Sequence, residues 1–221
     1  MKSLNKFIDH TLLKATATQK DIITLCKEAI RHDFFSVCIN SCYVSLAKEQ
    51  LKNTPVKICS VIGFPLGTMS TQSKVCETEK AIQDGADEID MVMNVGFLKN
   101  KDYDAVLKDI EAVKHIMPNQ TLKVILETCY LEPDEILKAS ELAIDGGADY
   151  IKTSTGFGTR GASFEDIKLM KQVAKETTKI KASGGIKDAE TALKYINLGV
   201  QRLGTSSGIA IVNGETSDSN H

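Results

Sequence analysis

Three ionisable residues stand where charge is costly. Asp90 interrupts the apolar run Ile89–Met93, Lys152 follows Tyr150-Ile151, and Lys181 follows Ile180. A charged group inside an apolar strand is expensive unless it is paired or put to use. Each lysine also stands directly before a loop of small residues. Lys152 precedes Thr153-Ser154-Thr155-Gly156, and Lys181 precedes Ala182-Ser183-Gly184-Gly185. Two ammonium groups in one partly desolvated cavity repel each other, which favours the neutral, nucleophilic form of one of them. A nearby carboxylate such as Asp90 can accept or relay protons. An amine nucleophile with a proton shuttle reads as carbonyl chemistry through a Schiff base, with no metal and no cofactor. Taken singly, either lysine is better explained as a rim residue whose stem covers apolar surface or as a structural ion pair. Two on neighbouring strands are not.

The glycine loops supply a second function. Ala182-Ser183-Gly184-Gly185-Ile186-Lys187 and Leu203-Gly204-Thr205-Ser206-Ser207-Gly208 each follow a strand and open a helix. Backbone N–H groups converge in such loops, and a helix start adds positive potential, so both suit an anion such as phosphate. Gly156-Phe157-Gly158-Thr159-Arg160-Gly161 matches a dinucleotide-binding pattern, but the acidic residue that pattern needs is replaced by Lys179 and Lys181. The loop is read as a lid, with Gly156 near a phosphate and Arg160 as a candidate phosphate contact. His10 has no G-x-S-x-G nucleophile elbow to serve, although its neighbour Asp9 is a candidate to reach the mouth of the barrel. His32, His115 and His221 are read as surface residues. The six cysteines (Cys26, Cys38, Cys42, Cys59, Cys76, Cys129) contain no CxxC, and Cys38 and Cys42 lack a second ligand pair for zinc. They are read as small buried hydrophobes.

Something must hold these groups at one place. Short apolar or β-branched runs (6–10, 35–39, 57–64, 87–93, 122–127, 149–154, 179–183 and 201–206) alternate with helical spacing. Ile22, Leu25, Cys26 and Ala29 share one helix face, as do Val106, Ile110, Val113 and Met117, and Phe164, Ile167, Met170 and Val173. Weaker helical stretches fall at 41–52, 71–84, 132–145 and 187–197, with a short one at Ser207–Val212. The repeat is about 28 residues, enough for a strand, two loops and a helix. Eight such units predict a closed parallel (β/α)8 barrel in one domain over 1–213, with a polar, disordered tail at 214–221. Asp84–Asp90 and Gly146–Lys152 echo each other at an offset of 62 residues, which sets Asp90 and Lys152 at equivalent places. In such a barrel the chemistry lies at the C-terminal strand ends, and loops after strands 7 and 8 commonly hold phosphate. Lys57, Lys123 and Lys179 begin their strands and are therefore assigned to the opposite face.

Composition agrees. The 221 residues carry 27 Lys and Arg against 29 Asp and Glu, a net charge of −2. That balance excludes a general nucleic-acid binder or a polybasic membrane-surface protein. No apolar run is long enough for a signal peptide or a membrane span. A cytoplasmic protein with reduced thiols is expected.

With these residues in view, the chain resembles the deoxyribose-phosphate aldolases. The resemblance runs from Asp9-His10-Thr11-Leu12-Leu13, through Glu88–Val92, Leu122–Thr128 and Tyr150-Ile151-Lys152-Thr153-Ser154-Thr155-Gly156, to Lys181–Ile186 and Gly204–Gly208. It implies a class I aldolase that cleaves 2-deoxy-D-ribose 5-phosphate to D-glyceraldehyde 3-phosphate and acetaldehyde. Lys152 matches the Schiff-base lysine, Lys181 the neighbour that tunes it, and Asp90 its partner in proton relay. Gly156, Gly184, Gly185, Gly204, Ser206 and Ser207 match phosphate-binding positions. The C-terminal tyrosine that some members carry is missing from Ser219-Asn220-His221. The expected partners are the sugar phosphate and acetaldehyde, with a homodimer as an allowed assembly. Two other readings stay open: another phosphate-binding barrel enzyme, or a non-catalytic sugar-phosphate sensor.

Overall fold

Eight strands close on themselves in sequence order, each parallel to the next, and β8 pairs back onto β1. They are β1 (Ile8–Leu12), β2 (Ser36–Asn40), β3 (Lys57–Ile62), β4 (Glu88–Val92), β5 (Thr121–Ile125), β6 (Tyr150–Lys152), β7 (Lys179–Ser183) and β8 (Arg202–Thr205). The helices outside them are α1 (Gln19–Arg31), α2 (Val44–Gln50), α3 (Thr71–Asp84), α4 (Val95–Lys99), α5 (Tyr103–His115), α6 (Pro133–Asp145), α7 (Phe164–Ala174), α8 (Ala189–Asn197) and α9 (Gly208–Asn213). The computed structural model describes residues 4–175 and 177–217. Of the polar tail, residues 214–217 follow α9, with Ser217 N–H donating to the Lys187 carbonyl. Residues 218–221, His221 among them, lie outside the described residues. This is the single-domain (β/α)8 barrel that the alternation predicts.

Local signals set the helix ends. Thr18 caps α1 and Ser163 caps α7, each reciprocated by an aspartate three residues on, Asp21 and Asp166. The α3 helix ends on Gly85 at φ +109°, a conformation that glycine adopts without steric penalty. The short α4, capped by Asn94, has no counterpart in the sequence reading, because five residues are too few to establish a helical period.

The two faces of the barrel wall do different work. Outward residues such as Ile8, Val37, Ile58, Ile89, Met91, Leu122, Val124, Ile151, Ile180 and Leu203 form one apolar core with the helices. Residues of opposite parity point inward. There the apolar content shrinks to a separate cluster of Leu13, Cys38, Cys59 and Val61, against which Phe64 packs. Most other inward positions are polar, whereas barrel interiors are usually filled by Val, Ile and Leu.

The sequence echo also has a structural meaning. Asp87 accepts from Ile58 N–H at 2.9 Å, and its own N–H donates to the Ile58 carbonyl. Asp149 repeats this with Leu122, at 2.8 Å, and Gln201 does so with Ile180, at 2.8 Å. Each residue thus clips the start of its strand to the preceding strand. Asp149→Ala leaves the buried Leu122 N–H without its acceptor and should lower stability by about 1–3 kcal/mol. Urea unfolding checks it, with Asp149→Asn expected to lose less.

Candidate active site

Asp90 sits inside the barrel, fully buried, with three ammonium groups around it. Its Oδ2 accepts from Lys152 Nζ at 2.8 Å and Lys181 Nζ at 2.8 Å, and its Oδ1 from Lys123 Nζ at 2.8 Å. Lys181 also contacts Asp9 Oδ2 at 2.5 Å. Asp9 continues to Arg202 Nε at 2.7 Å and accepts from Ser36 Oγ at 2.6 Å. Arg202 reaches across to Glu88, which in turn contacts Lys123 at 2.7 Å. Below it the guanidinium lies 3.5 Å from the Phe35 ring centroid. The Cys59 thiol donates to Asp90 Oδ1 at 3.0 Å, and Cys38 lies 4.0 Å from Oδ2.

The strands explain this convergence. Asp90 is paired in register with Lys123, Lys152 with Lys181, and Lys181 with Arg202. Gly204 follows Arg202 by two positions, and a Cβ there would lie 3.1 Å from Lys181 Cε. Its missing side chain makes room for the lysine stem.

Several expectations are corrected by these contacts. Lys123 is not at the opposite face: it is the middle residue of β5, fully buried, and bonded to Asp90. Lys57 and Lys179 do lie exposed at the strand starts. Asp9 does not reach the mouth, because it lies second in β1 and binds deep in the barrel to Lys181 and Arg202. Arg160 is committed elsewhere, with both guanidinium nitrogens on Asp166 and a further bond to the Thr128 carbonyl. Cys42 and Cys76 are exposed rather than buried, and His32 is half-buried, stacked on Phe34. Glu88, Arg202 and Cys59 were not singled out by sequence. The strand parity that links them to Asp90 (Glu88 two before it, Arg202 two before Gly204) is the signal that would have found them.

Burial opposes the charges of Asp9, Asp90, Lys123, Lys181 and Arg202, and their partners overcome it. The Asp90 carboxyl is held well below the ordinary carboxylate range by Lys123, Lys152 and Lys181, and Asp9 is lowered by Arg202, Lys181 and Lys123. Lys181 is held above its usual value by Asp9 and Asp90, and Lys123 by Asp90, Cys59 and Glu88. Lys181 is therefore charged in the resting site, and mutual repulsion between the lysines is not what dominates its charge. Cys38, Cys59 and Asp90 place three ligand-type atoms within 4.8 Å of one another. A metal cation entering there would have to displace the ammonium groups from Asp90.

Above this layer, the loops meet backbone to backbone. Gly156, Gly184 and Gly185 all have positive φ (+89°, +82° and +77°). A Cβ on Gly161 would fall 2.2 Å from the Gly184 carbonyl oxygen, and Ala162 N–H donates to the Ser183 carbonyl. Glu127, buried in a left-handed conformation, accepts from both the N–H and the hydroxyl of Thr155 and so fixes the turn into this lid. The α8 start was expected to supply an anion site. Its N-terminus is instead capped by the Asp188 carboxylate. Ser206 lines a cavity of about 410 Å³ with His10, Thr11 and Leu12, while Ser207 N–H is satisfied by Thr205 Oγ1. A second cavity of about 270 Å³, lined by Leu66, Val92, Glu127, Thr155 and Phe157, opens beside the lid. His10 forms no triad, since its Nε2 pairs with Glu28 at 2.8 Å.

Comparison with known proteins decides the class. Residues 4–213 match the DeoC/LacD family aldolase profile. The chain belongs to this aldolase family. A deoxyribose-phosphate aldolase of Finegoldia magna is 57% identical over 211 residues, covering 96% of this chain and 99% of the relative. One from Thermococcus gammatolerans is 54% identical, covering 95% of each. Among solved structures, the tetrameric deoxyribose phosphate aldolase from Aeropyrum pernix superposes with a TM-score of 0.89 at 30% identity, over 95% of this chain and 89% of that one. As a member of the aldolase family the chain is an enzyme, a carbon–carbon lyase. No helix among the described residues is long and apolar enough to cross a membrane.

The buried charges also set how stability depends on pH. Asp9 and Asp90 have lowered folded-state pKa values, so their contribution is present above their unfolded values of about 4 and is lost as pH falls through the folded ones. Lys123 and Lys181 have raised values, so theirs is present below about 10.4 and is lost as pH rises through the folded ones. Urea midpoints should therefore be flat between those limits and fall on the acid side. Asp90→Asn should lower the midpoint at pH 7 and flatten that acid slope.

Proposed function

We propose that the enzyme reversibly cleaves 2-deoxy-D-ribose 5-phosphate to D-glyceraldehyde 3-phosphate and acetaldehyde through a Schiff base on Lys152. One observation carries this reading. Of the four cations gathered around Asp9, Glu88 and Asp90 among the described residues, Lys152 alone has a single carboxylate contact, and it shares that oxygen with Lys181. Losing its proton therefore breaks the fewest interactions. The substrate follows from the relatives' names, and a phosphate suits the loops that meet above Lys152.

In the synthetic direction, neutral Lys152 attacks the acetaldehyde carbonyl carbon. The oxygen takes a proton from the Lys181–Asp90 pair through water, and departure of water leaves the protonated imine. A methyl proton then passes to Asp90 and Lys181, again through water, and the C–H electron pair forms the enamine. The enamine carbon attacks the aldehyde carbon of glyceraldehyde 3-phosphate, whose oxygen takes the proton back. Water adds to the imine, and the C–N bond breaks to release the sugar phosphate and regenerate Lys152. Gly156, Gly184, Gly185, Gly204, Ser206 and Ser207 hold the phosphate during this sequence. Asp90 stays ionised in the resting site, and the conversion of Lys152 to a neutral enamine removes one of its three counter-charges. That charge disappears as the methyl proton leaves, so Asp90 grows more basic while the proton arrives rather than before it. The six cysteines are free thiols, in keeping with a cytoplasmic reaction.

Borohydride reduction in the presence of acetaldehyde should add an irreversible mass to the peptide carrying Lys152, and Lys152→Ala should abolish both adduct and turnover. An adduct elsewhere, or one that survives Lys152→Ala, excludes the assignment. Absence of any adduct while cleavage proceeds would exclude the Schiff base. For the phosphate loops, Gly161→Ala pushes the lid off Gly184 and should raise KM for the sugar phosphate about tenfold, or about 1.4 kcal/mol. Steady-state kinetics with acetaldehyde and an unphosphorylated acceptor should show a smaller change.

A further inference from the structure

The contacts around Asp90 close into a ring. Passing from Arg202 to Asp9, Lys181, Asp90, Lys123 and Glu88, and back to Arg202, cations and carboxylates alternate without a break. The six residues are 6% exposed or less, so bulk water screens them little. Three positive and three negative charges make the ring neutral by itself. Lys152 hangs from it at Asp90 as a seventh group, and its ammonium would be a surplus charge.

We propose that Arg202, Glu88 and Lys123 are positioning residues that set the charge state of Lys152 from below, by completing a self-neutral ring to which the Lys152 ammonium is surplus. This rests on Lys152 being the Schiff-base lysine. None of the three touches Lys152 or faces the loops. They act through Asp90 and Asp9. Every strand presents a group to this interior: Asp9 from β1, Cys38 from β2, Cys59 from β3, Glu88 and Asp90 from β4, Lys123 from β5, Tyr150 from β6 beside Lys152, Lys181 from β7 and Arg202 from β8. Glu88 is the crossing point, since it contacts both Arg202 and Lys123. Arg202 is bound on Asp9 and Glu88 at once and stacked over Phe35, a geometry that a planar guanidinium suits. Consistent with a closed set, Arg202, Lys123 and Lys181 are all held charged by their carboxylates against burial.

The ring makes opposite predictions for opposite charges, which a merely structural role would not. Cleavage requires a neutral amine, so the rate rises with pH along an acid limb. Arg202→Gln removes a positive charge, makes the ring net negative and turns the Lys152 ammonium into its counter-ion. The acid limb of kcat/KM should move up by about one pH unit or more, with activity recovered at high pH. Lys123→Met, on the far side of the ring, should move it the same way. Glu88→Gln removes a negative charge and should move the limb down. Arg202→Lys keeps the charge and should leave the midpoint in place. Limbs that stay fixed in Arg202→Gln and Lys123→Met, or that move the same way in all three charge-removing variants, overturn the ring. A variant that lacks a cooperative melt is set aside, and the other two read the sign. Borohydride trapping on the parent enzyme separates the two proposals. An adduct on Lys152 with unmoved limbs ends the ring alone, whereas an adduct on another lysine ends both.

Discussion

Burial of ionic groups is the constraint on which the rest of this structure depends. A buried ion pair seldom adds stability over a well-packed apolar pair of similar volume, whereas removing one partner leaves a charge that is very costly. The barrel interior therefore has an all-or-none character. Asp90 cannot be ionised there without several ammonium groups, and those groups cannot all be charged without Asp9 and Glu88. The register of the strands delivers this pairing, with Asp90 opposite Lys123 and Lys152 opposite Lys181. A slip of one residue in any of these strands would turn its charge outward into the apolar layer beneath the helices. The ionic interior thereby specifies register as well as chemistry.

The stability that such an interior does not supply comes from elsewhere. The outward faces of all eight strands join the helices in one aliphatic core, and burial of that surface is the dominant favourable term in folding. Separate duties follow for the two parities of each strand. Along β4, Ile89 and Met91 pack outward while Glu88 and Asp90 face in. Along β5, Leu122 and Val124 pack outward around Lys123. The clips made by Asp87, Asp149 and Gln201 hold the strand starts in register at the end away from the loops. That leaves the loop end free to be built from glycine.

This division explains what was legible in the sequence. The barrel was readable because eight alternations of period have few other closed solutions, and Lys152 and Lys181 were readable because each precedes a loop of small residues. Lys123 was misread because position along a strand was judged without parity. It is second in the run Leu122–Leu126, close to what reads as a strand start, but it shares the inward face with Ile125 and pairs with Asp90. Glu88 and Arg202 escaped for a related reason. Each stands near a strand start, where a charge is usually solvated, and only closure of the barrel brings β8 across to β4. Arg160 was overvalued because a cation in a glycine loop suggests phosphate, while its true partner, Asp166, was already engaged as a helix capping residue.

The position of Lys152 at the end of β6 obeys the same physics. That strand is the shortest, three residues from Tyr150 to Lys152; Thr153 still bonds backbone to backbone with Lys181 and Thr128, and beyond it side-chain contacts take over. Thr155 hangs on Glu127, and the lid rests on Gly184 through Gly161. Lys152 is nearly as buried as Lys123 and Lys181, at 2% exposed, and differs from them in pairing, with one carboxylate contact where each of them has two. It is the last residue of its strand, directly before the small-residue loop. The groups beneath it are completely paired, and charges held in place by several partners supply a preorganised field at the strand ends. Termination of β6 at Lys152, while β7 continues two residues beyond Lys181 to Ser183, separates the proposed Schiff-base lysine from the more completely paired one although the two are neighbours in register.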